Sequence, residues 1–254
     1  CVPDYTETEL ITDAFNKMLA RMKVLDESRS EFVSNVSHEL KTPMTSMKVL
    51  ADSLVGQHGV PEDLYQEFMR DITAEIDREN RIITDLLTLV KMDKKNADLQ
   101  IQHMSINQLL EDILKRLRPI ADKRNIDLIL DSFRPVEADV DELKFTSAIS
   151  NLVENAIKYN VDDGWVRVSL DADHKFFYVT VADSGMGIPE DSLSRIFERF
   201  YRVDKSHSRE IGGTGLGLAI TRSTIGMHHG VIKVFSKEGE GTTFSVRVPL
   251  SYIP

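Results

Sequence analysis

The sequence predicts an α+β protein: an N-terminal antiparallel helical hairpin that forms a dimeric four-helix bundle, followed by an α/β sandwich. Three observations carry that prediction. Apolar side chains recur at steps of three and four from Ile11 to Leu54, the period of one helix face. A second stripe of the same kind follows a turn rich in Gly and Pro. Beyond about residue 100 the pattern changes, and short strands mix with amphipathic helices.

Residues 6–56 read as one helix. Its seam is Ile11, Phe15, Met18, Met22, Leu25, Phe32, Val36, Leu40, Met47, Leu50 and Leu54, with Arg29 and Pro43 filling two slots. A helix this long needs a partner. Two four-residue steps in a row, at Phe32, Val36 and Leu40, form a stutter that locally unwinds a coiled coil. Pro43 has no N–H for the carbonyl of Glu39, so the helix can bend there. The turn spans Gly56 to Pro61, and Pro61-Glu62-Asp63 suits the start of a second helix. That helix runs from Glu62 to Met92 on a stripe of Leu64, Phe68, Ile72, Ile76, Ile83, Leu86 and Val90. One hairpin leaves apolar surface bare, so two hairpins are expected to pair as a homodimer.

Lys91 to Ala97 (KMDKKNA) is polar and reads as a linker. Strands are expected at Leu99–Met104, Ile126–Leu130, Trp165–Leu170, Phe176–Val181, Val231–Phe235 and Thr242–Val248. Helices are expected at Ile106–Lys123, Asp139–Tyr159 and Gly215–Met227. The order lacks a regular βαβ alternation, which predicts a mostly antiparallel sheet with helices on one face. The domains so defined are residues 1–27, 28–96 and 97–254. The chain has neither an internal repeat nor a low-complexity stretch.

A net charge of −10 argues against nonspecific nucleic-acid binding. The single cysteine, Cys1, excludes an internal disulfide and suits a reducing compartment. No apolar run approaches a membrane span, and no signal peptide is visible. The chain starts abruptly at Cys1-Val2-Pro3 and reads as a fragment, so any membrane contact is expected through upstream segments.

Five segments carry candidate chemistry. In Phe32–Met44 (FVSNVSHELKTPM), His38 lies about 200° around the helix from both Val36 and Leu40 and faces outward. Glu39 can hold one imidazole nitrogen and raise the nucleophilicity of the other, and Thr42 shares the His38 face. In Asn151–Tyr159, Asn151 and Asn155 are four apart, and Lys158 is three beyond Asn155. Two amide oxygens and an ammonium suit a hydrated Mg²⁺ and a phosphate chain. In Val181–Pro189 a strand ends in Asp183-x-Gly185-x-Gly187. The carboxylate can accept from an exocyclic amine, and the glycines admit a ring against the backbone. In Ile196–Arg202, Phe197 and Phe200 can hold a mobile segment to the body while Arg202 reaches a phosphate. Gly212–Ile220 is a glycine-rich loop opening a helix, able to cradle phosphates through backbone N–H groups. It lacks the Gly-Lys-Ser/Thr of a P-loop and the leading strand of a dinucleotide fold. Between the last two segments, Val203–Ile211 is polar and reads as a lid. Taken singly, each segment also fits an ordinary surface histidine, solvated helix face or turn.

In their joint order and spacing the five closely resemble the transmitter region of a two-component sensor histidine kinase. His38-Glu39-Leu40-Lys41-Thr42-Pro43 resembles the H box of the dimerisation and phosphoacceptor domain. The other four resemble the N, G1, F and G2 boxes of a Bergerat-type ATP-binding domain. Ala14–Met18 resembles the end of a HAMP relay helix, which would make 1–27 a coiled-coil signal helix.

The resemblance implies roles. His38 is phosphorylated from MgATP, with Glu39 assisting proton transfer. Asn155 ligates Mg²⁺, with Asn151 beside it. Lys158 and Arg202 contact phosphates, and Tyr159 lies near the nucleotide. Asp183 reads the adenine amine, with Gly185 and Gly187 beneath the ring. Gly213, Thr214, Gly215, Leu216 and Gly217 line the lid and phosphate site. The phosphoryl group then passes to an aspartate of a response-regulator receiver domain, and Thr42 can orient a water for the reverse dephosphorylation. The implied location is the cytoplasmic portion of a bacterial membrane protein. Two alternatives remain: an ATPase driving a conformational cycle, for which Asn151 stands where a base is needed, and a scaffold or phosphatase that uses little ATP. His228-His229 lies at a helix end without a third metal ligand in sight, and His58, His103, His174 and His207 read as surface residues.

Overall fold

A computed structural model describes residues 5–55, 61–92, 99–203 and 213–253. Contacts divide the chain into two units, Cys1–Ile82 and Ile83–Pro254. The predicted turn at 56–60, most of the linker and all of the lid beyond Val203 lie outside the described residues.

The first unit is helical. Helix α1 spans Tyr5–Val55 with Pro43 inside it, and α2 spans Glu62–Met92, its last turns belonging to the second unit. On α1 the inner positions are half-buried Phe32, Val36, Leu40, Met47, Leu50 and Leu54, with Pro43 buried among them. Ile11, Phe15, Met18 and Met22 are exposed. On α2 the inner stripe is Phe68, Ile72, Glu75, Glu79, Ile82, Leu86 and Leu89, an alternation of fours and threes. This corrects the predicted stripe, because Ile76, Ile83 and Val90 are exposed at 45%, 41% and 48%. The helix carries two apolar faces roughly a quarter-turn apart, and reading them as one mixed them.

The second unit is built on a five-stranded sheet in the order β2-β4-β5-β7-β6. Its strands are β2 Asp127–Ser132, β4 Trp165–Ala172, β5 Phe176–Asp183, β6 Val231–Lys237 and β7 Gly241–Pro249. β2 and β4 are parallel and the other pairs antiparallel. Burial alternates along the central strands, and Val166, Val168, Phe177, Val179, Val181, Phe244 and Val246 all enter one core. Helices α3 (Ile106–Asp122) and α4 (Glu142–Lys158) supply the opposing side with Leu110, Ile113, Phe145, Ile149 and Leu152. Helix α6 (Gly217–Met227) adds Ile225. The sequence-predicted sandwich, with helices on one face of a mostly antiparallel sheet, is the observed one.

Two elements differ from expectation. Residues Glu137–Asp141 form a strand, β3, paired antiparallel with β1 (Ile101–Ser105) in a separate two-stranded sheet. Helix α4 therefore begins at Glu142 rather than Asp139, with Asp141 as its N-cap accepting from the Lys144 N–H at 3.0 Å. Ala138 and Val140 are fully buried, so tertiary packing overrides the acidic, helix-opening look of this stretch. A short helix, α5 (Glu190–Leu193), was also unforeseen.

Candidate active site

The residues with chemistry fall into two groups, one in each unit. On α1, His38 is exposed, as its phase dictates, while Glu39 is half-buried on the adjacent flank. The Thr42 hydroxyl donates to the carbonyl oxygen of His38 at 3.1 Å, which holds it on the His38 side of the helix. An open groove of about 330 Å³ runs along the same stretch, lined by Ser37, Leu40, Lys41, Met44, Thr45 and Lys48. An exposed imidazole on a helix that can bend at Pro43, with Lys41 and Lys48 on its C-terminal side, is accessible to an anionic electrophile.

The second group is held by α4, the β5 end and the turn entering α6. Asn151 donates from Nδ2 to the Thr221 hydroxyl of α6 at 3.0 Å. Gly217 permits this approach, since a Cβ there would stand 2.3 Å from Asn151 Oδ1. Asn155 is half-buried one turn further along the same face. At the end of α4, the Lys158 ammonium lies 5.2 Å from the Tyr159 ring centre. Gly213 closes over both: a Cβ would stand 2.8 Å from Lys158 Nζ and 3.7 Å from the Tyr159 hydroxyl. Burial pushes the Tyr159 phenol up, opposed by the charge of nearby Arg202. Two cations, a phenol and a glycine turn thus meet at the end of α4.

Asp183 ends β5 and is buried. Its Oδ1 accepts from the Gly185 N–H at 2.8 Å and the Thr242 N–H at 3.2 Å. Both bonds fall on one oxygen, which leaves Oδ2 for an amine donor. Burial pushes this carboxyl up to about 6 despite those two bonds. Gly185 packs on the Tyr159 carbonyl, where a Cβ would come within 2.4 Å. Gly187 has φ +71 and abuts the Lys237 carbonyl. The glycines therefore serve close backbone approach, as their spacing suggested.

The turn entering α6 is pinned from the end of α2, within the second unit. Thr214 donates to Asp85 Oδ2 at 2.8 Å and accepts from the Leu216 N–H at 3.2 Å. The Leu216 side chain is fully buried with Leu89 and Ile220, flanked by Leu86, Met92 and Phe200. Leu216 thus packs toward α2 with its side chain. Gly215 has φ +68 and Phe200 φ +63, and the Phe200 N–H donates to the Gly215 carbonyl at 2.9 Å. Phe197 packs edge-on against Phe244 at 6.4 Å, so the two phenylalanines of the F segment anchor in different clusters.

Several supporting residues escaped sequence reasoning. Arg124 donates to the carbonyls of Ile157, Lys158 and Asn160, capping α4. His228, only 1% exposed, accepts from the Asp141 N–H at 2.9 Å on Nε2 and donates from Nδ1 to the Thr224 carbonyl. Asp85 had no visible signal, because its partner is 129 residues away.

Two known families match different parts of the chain. Residues 28–95 match the His Kinase A (phospho-acceptor) domain, and residues 140–252 match the histidine kinase-, DNA gyrase B- and HSP90-like ATPase family. The chain is 35% identical over 228 residues to the sensor histidine kinase WalK of Bacillus subtilis, covering 89% of this chain and 37% of that protein. It is 35% identical over 225 residues to the sensor-like histidine kinase SenX3 of Mycolicibacterium smegmatis, covering 89% and 58%. The chain thus spans between about a third and three-fifths of these relatives' length. The solved structure of histidine kinase ThkA in complex with response regulator protein TrrA shares the fold, with TM-score 0.73 and 24% identity over 97% of this chain and 68% of that one. The chain belongs to the two-component sensor histidine kinases, of which it carries the transmitter region.

Proposed function

We propose that the chain transfers the γ-phosphoryl group of MgATP to His38 and then to an aspartate of a receiver domain. The observation that carries this reading is the convergence of Asp183, Lys158, Tyr159, Arg202, Gly213 and Gly185 in one site, with an exposed histidine available on a separate helix. Asp183 accepts the adenine amine. Lys158 and Arg202 neutralise the phosphates. An imidazole nitrogen of His38 attacks phosphorus in line, the N–P bond forms, the bond to ADP breaks, and ADP leaves with the electron pair. Glu39 takes up the proton released from the other ring nitrogen.

Asn155, half-buried on the Asn151 face of α4, would hold Mg²⁺ through its neutral amide oxygen. The chemistry such an ion would supply there is charge neutralisation of the phosphate chain.

Two copies of the chain are proposed to pair through the outer face of α2, where Met69, Ile76, Ile83 and Val90 repeat every seven residues and are exposed. The groove beside His38, carrying Lys41 and Lys48, suits an acidic receiver surface. Among the described residues no helix is long and apolar enough to cross a membrane. Attachment to one is proposed through segments upstream of residue 1.

The test is labelling with γ-labelled MgATP. An acid-labile, base-stable label on the wild type that is absent from His38→Gln supports the reading. Steady phosphate release without label in either protein favours the ATPase alternative. Against that alternative stands Asn151, an amide bonded to Thr221 and unable to act as a base. A second activity, receiver dephosphorylation, is proposed from the placement of Thr42 on the His38 face. Thr42→Ala should lose it while keeping autophosphorylation.

A further inference from the structure

Asn160 is where three segments of the second unit meet. It is 4% exposed. Its Nδ2 donates to the carbonyls of Ala156 on α4 and Trp165 at the start of β4, both at 3.0 Å. Its Oδ1 accepts from the Val161 N–H at 2.9 Å and the Ser184 hydroxyl at 3.0 Å. An amide offers two donor hydrogens and two acceptor lone pairs, so its capacity is fully used. Ser184 Oγ in turn accepts from the Trp165 N–H at 2.9 Å. Gly164 lets this knot close: a Cβ there would stand 2.3 Å from Asn160 Oδ1 and 2.7 Å from Ser184 Oγ.

The knot lies between the two halves of the site. Tyr159 and Lys158 immediately precede Asn160, and Asp183 immediately precedes Ser184. A further bond, from the Met186 N–H to the Tyr159 carbonyl at 3.1 Å, ties the same two segments. We infer that Asn160 and Ser184 are positioning residues that fix the base-reading carboxylate of Asp183 against the phosphate-facing end of α4. They act through Asp183, Lys158 and Tyr159. The inference rests on the nucleotide reading above. A ligand that spans both halves must match their separation, so after a shift of about 1 Å it keeps its phosphate contacts only by giving up those to the base.

The experiment measures equilibrium binding of ATP and GTP, and the labelling rate at saturating ATP, for wild type, Ser184→Ala, Ser184→Thr and Asn160→Asp. Ser184→Ala should raise the Kd for ATP about tenfold and lower the ATP-over-GTP preference by a similar factor. Its labelling rate at saturating ATP should stay within about twofold of wild type. Ser184→Thr keeps the hydroxyl and should restore both values. Asn160→Asp keeps the shape and the acceptor but loses both donors, and should repeat the alanine pattern. Far-UV circular dichroism and Trp165 fluorescence at the assay temperature establish that each variant is folded. If Asn160→Asp unfolds, the Ser184 pair decides the matter alone. Wild-type affinity and base preference in Ser184→Ala would overturn the inference, as would a slowed labelling rate with unchanged Kd. Failure of the wild type itself to bind ATP would instead sink the proposed function.

Discussion

Asp183 sits under two opposing demands. Its burial raises the carboxyl to about 6, from an ordinary value near 3.8, so the free protein spends stability to keep a charge there at neutral pH. The sign follows from linkage. A carboxyl raised in the folded state binds its proton more readily when native, so its cost is present above pH 6 and is relieved as pH falls from about 6 towards 4. Asp183→Asn removes that cost and keeps an oxygen for the Gly185 and Thr242 N–H groups. It should stabilise the nucleotide-free protein by roughly 2 kcal/mol at pH 7, measured by urea denaturation. The same change should weaken ATP ten- to a hundredfold, roughly the worth of a charge-assisted hydrogen bond to the adenine amine. Wild-type ATP affinity should also decline below pH 6, and that dependence should be absent from the variant. A variant both less stable and unchanged in ATP affinity would refute this account of the residue.

At the scale of elements, α4 carries Asn151, Asn155 and Lys158, and what holds it comes from far along the chain. Arg124 gives two hydrogen bonds to its last carbonyls, those of Ile157 and Lys158, and a third to the Asn160 carbonyl just beyond, where an uncapped helix end leaves acceptors bare. Arg124→Ala should cost about 3 kcal/mol of stability in chemical denaturation, and Lys at this position should recover only part of it, lacking the planar fork. Helix α2 makes a comparable claim on the turn entering α6. Asp85→Ala removes the acceptor for Thr214 and should cost about 1 kcal/mol, read as faster hydrogen exchange at the Leu216 and Ile220 amides while β4 and β5 are unaffected. These contacts explain what the sequence could show. Residue order within a motif is local, so the segments around His38, Asn155, Asp183 and the Gly213–Gly217 turn could be singled out as candidates from their joint resemblance to the family's motifs. Their supports could not, because Arg124 meets Lys158 34 residues away and Asp141 meets His228 87 residues away. Strand β3 was missed for the same reason: Ala138 and Val140 earn a strand only by pairing with β1. The long periodic helices were read correctly, except that two stripes on α2 were merged, since a seven-residue repeat suits either face.

At the scale of the second unit, two buried groups, Asp183 and His228, pull stability in opposite directions on acidification. Burial holds the His228 imidazole below its ordinary 6.5, with Thr224 and Asp141 as its partners. A depressed histidine binds its proton more readily unfolded, so its contribution is complete above about pH 6.5 and is lost as pH falls below that. Asp183 has the reverse sign across nearly the same window. His103 lies on the surface, held above its ordinary value by hydrogen bonds to Asp139 and then Glu137, and is common to every protein compared, so it cancels in differences. In the wild type the two buried groups therefore oppose each other between pH 7 and pH 5. His228→Gln keeps an acceptor for the Asp141 N–H and removes the titrating ring. It should be less stable at pH 7, yet gain stability on acidification as Asp183 takes up its proton. Asp183→Asn leaves His228 unopposed and should lose stability over the same interval. Trp165, the sole tryptophan, lies in this unit and reports the transition directly. Opposite slopes in the two single variants, and a flat profile in the double variant once the shared His103 response is subtracted, are the expected outcome. Parallel slopes would mean that neither buried group governs the response over this interval.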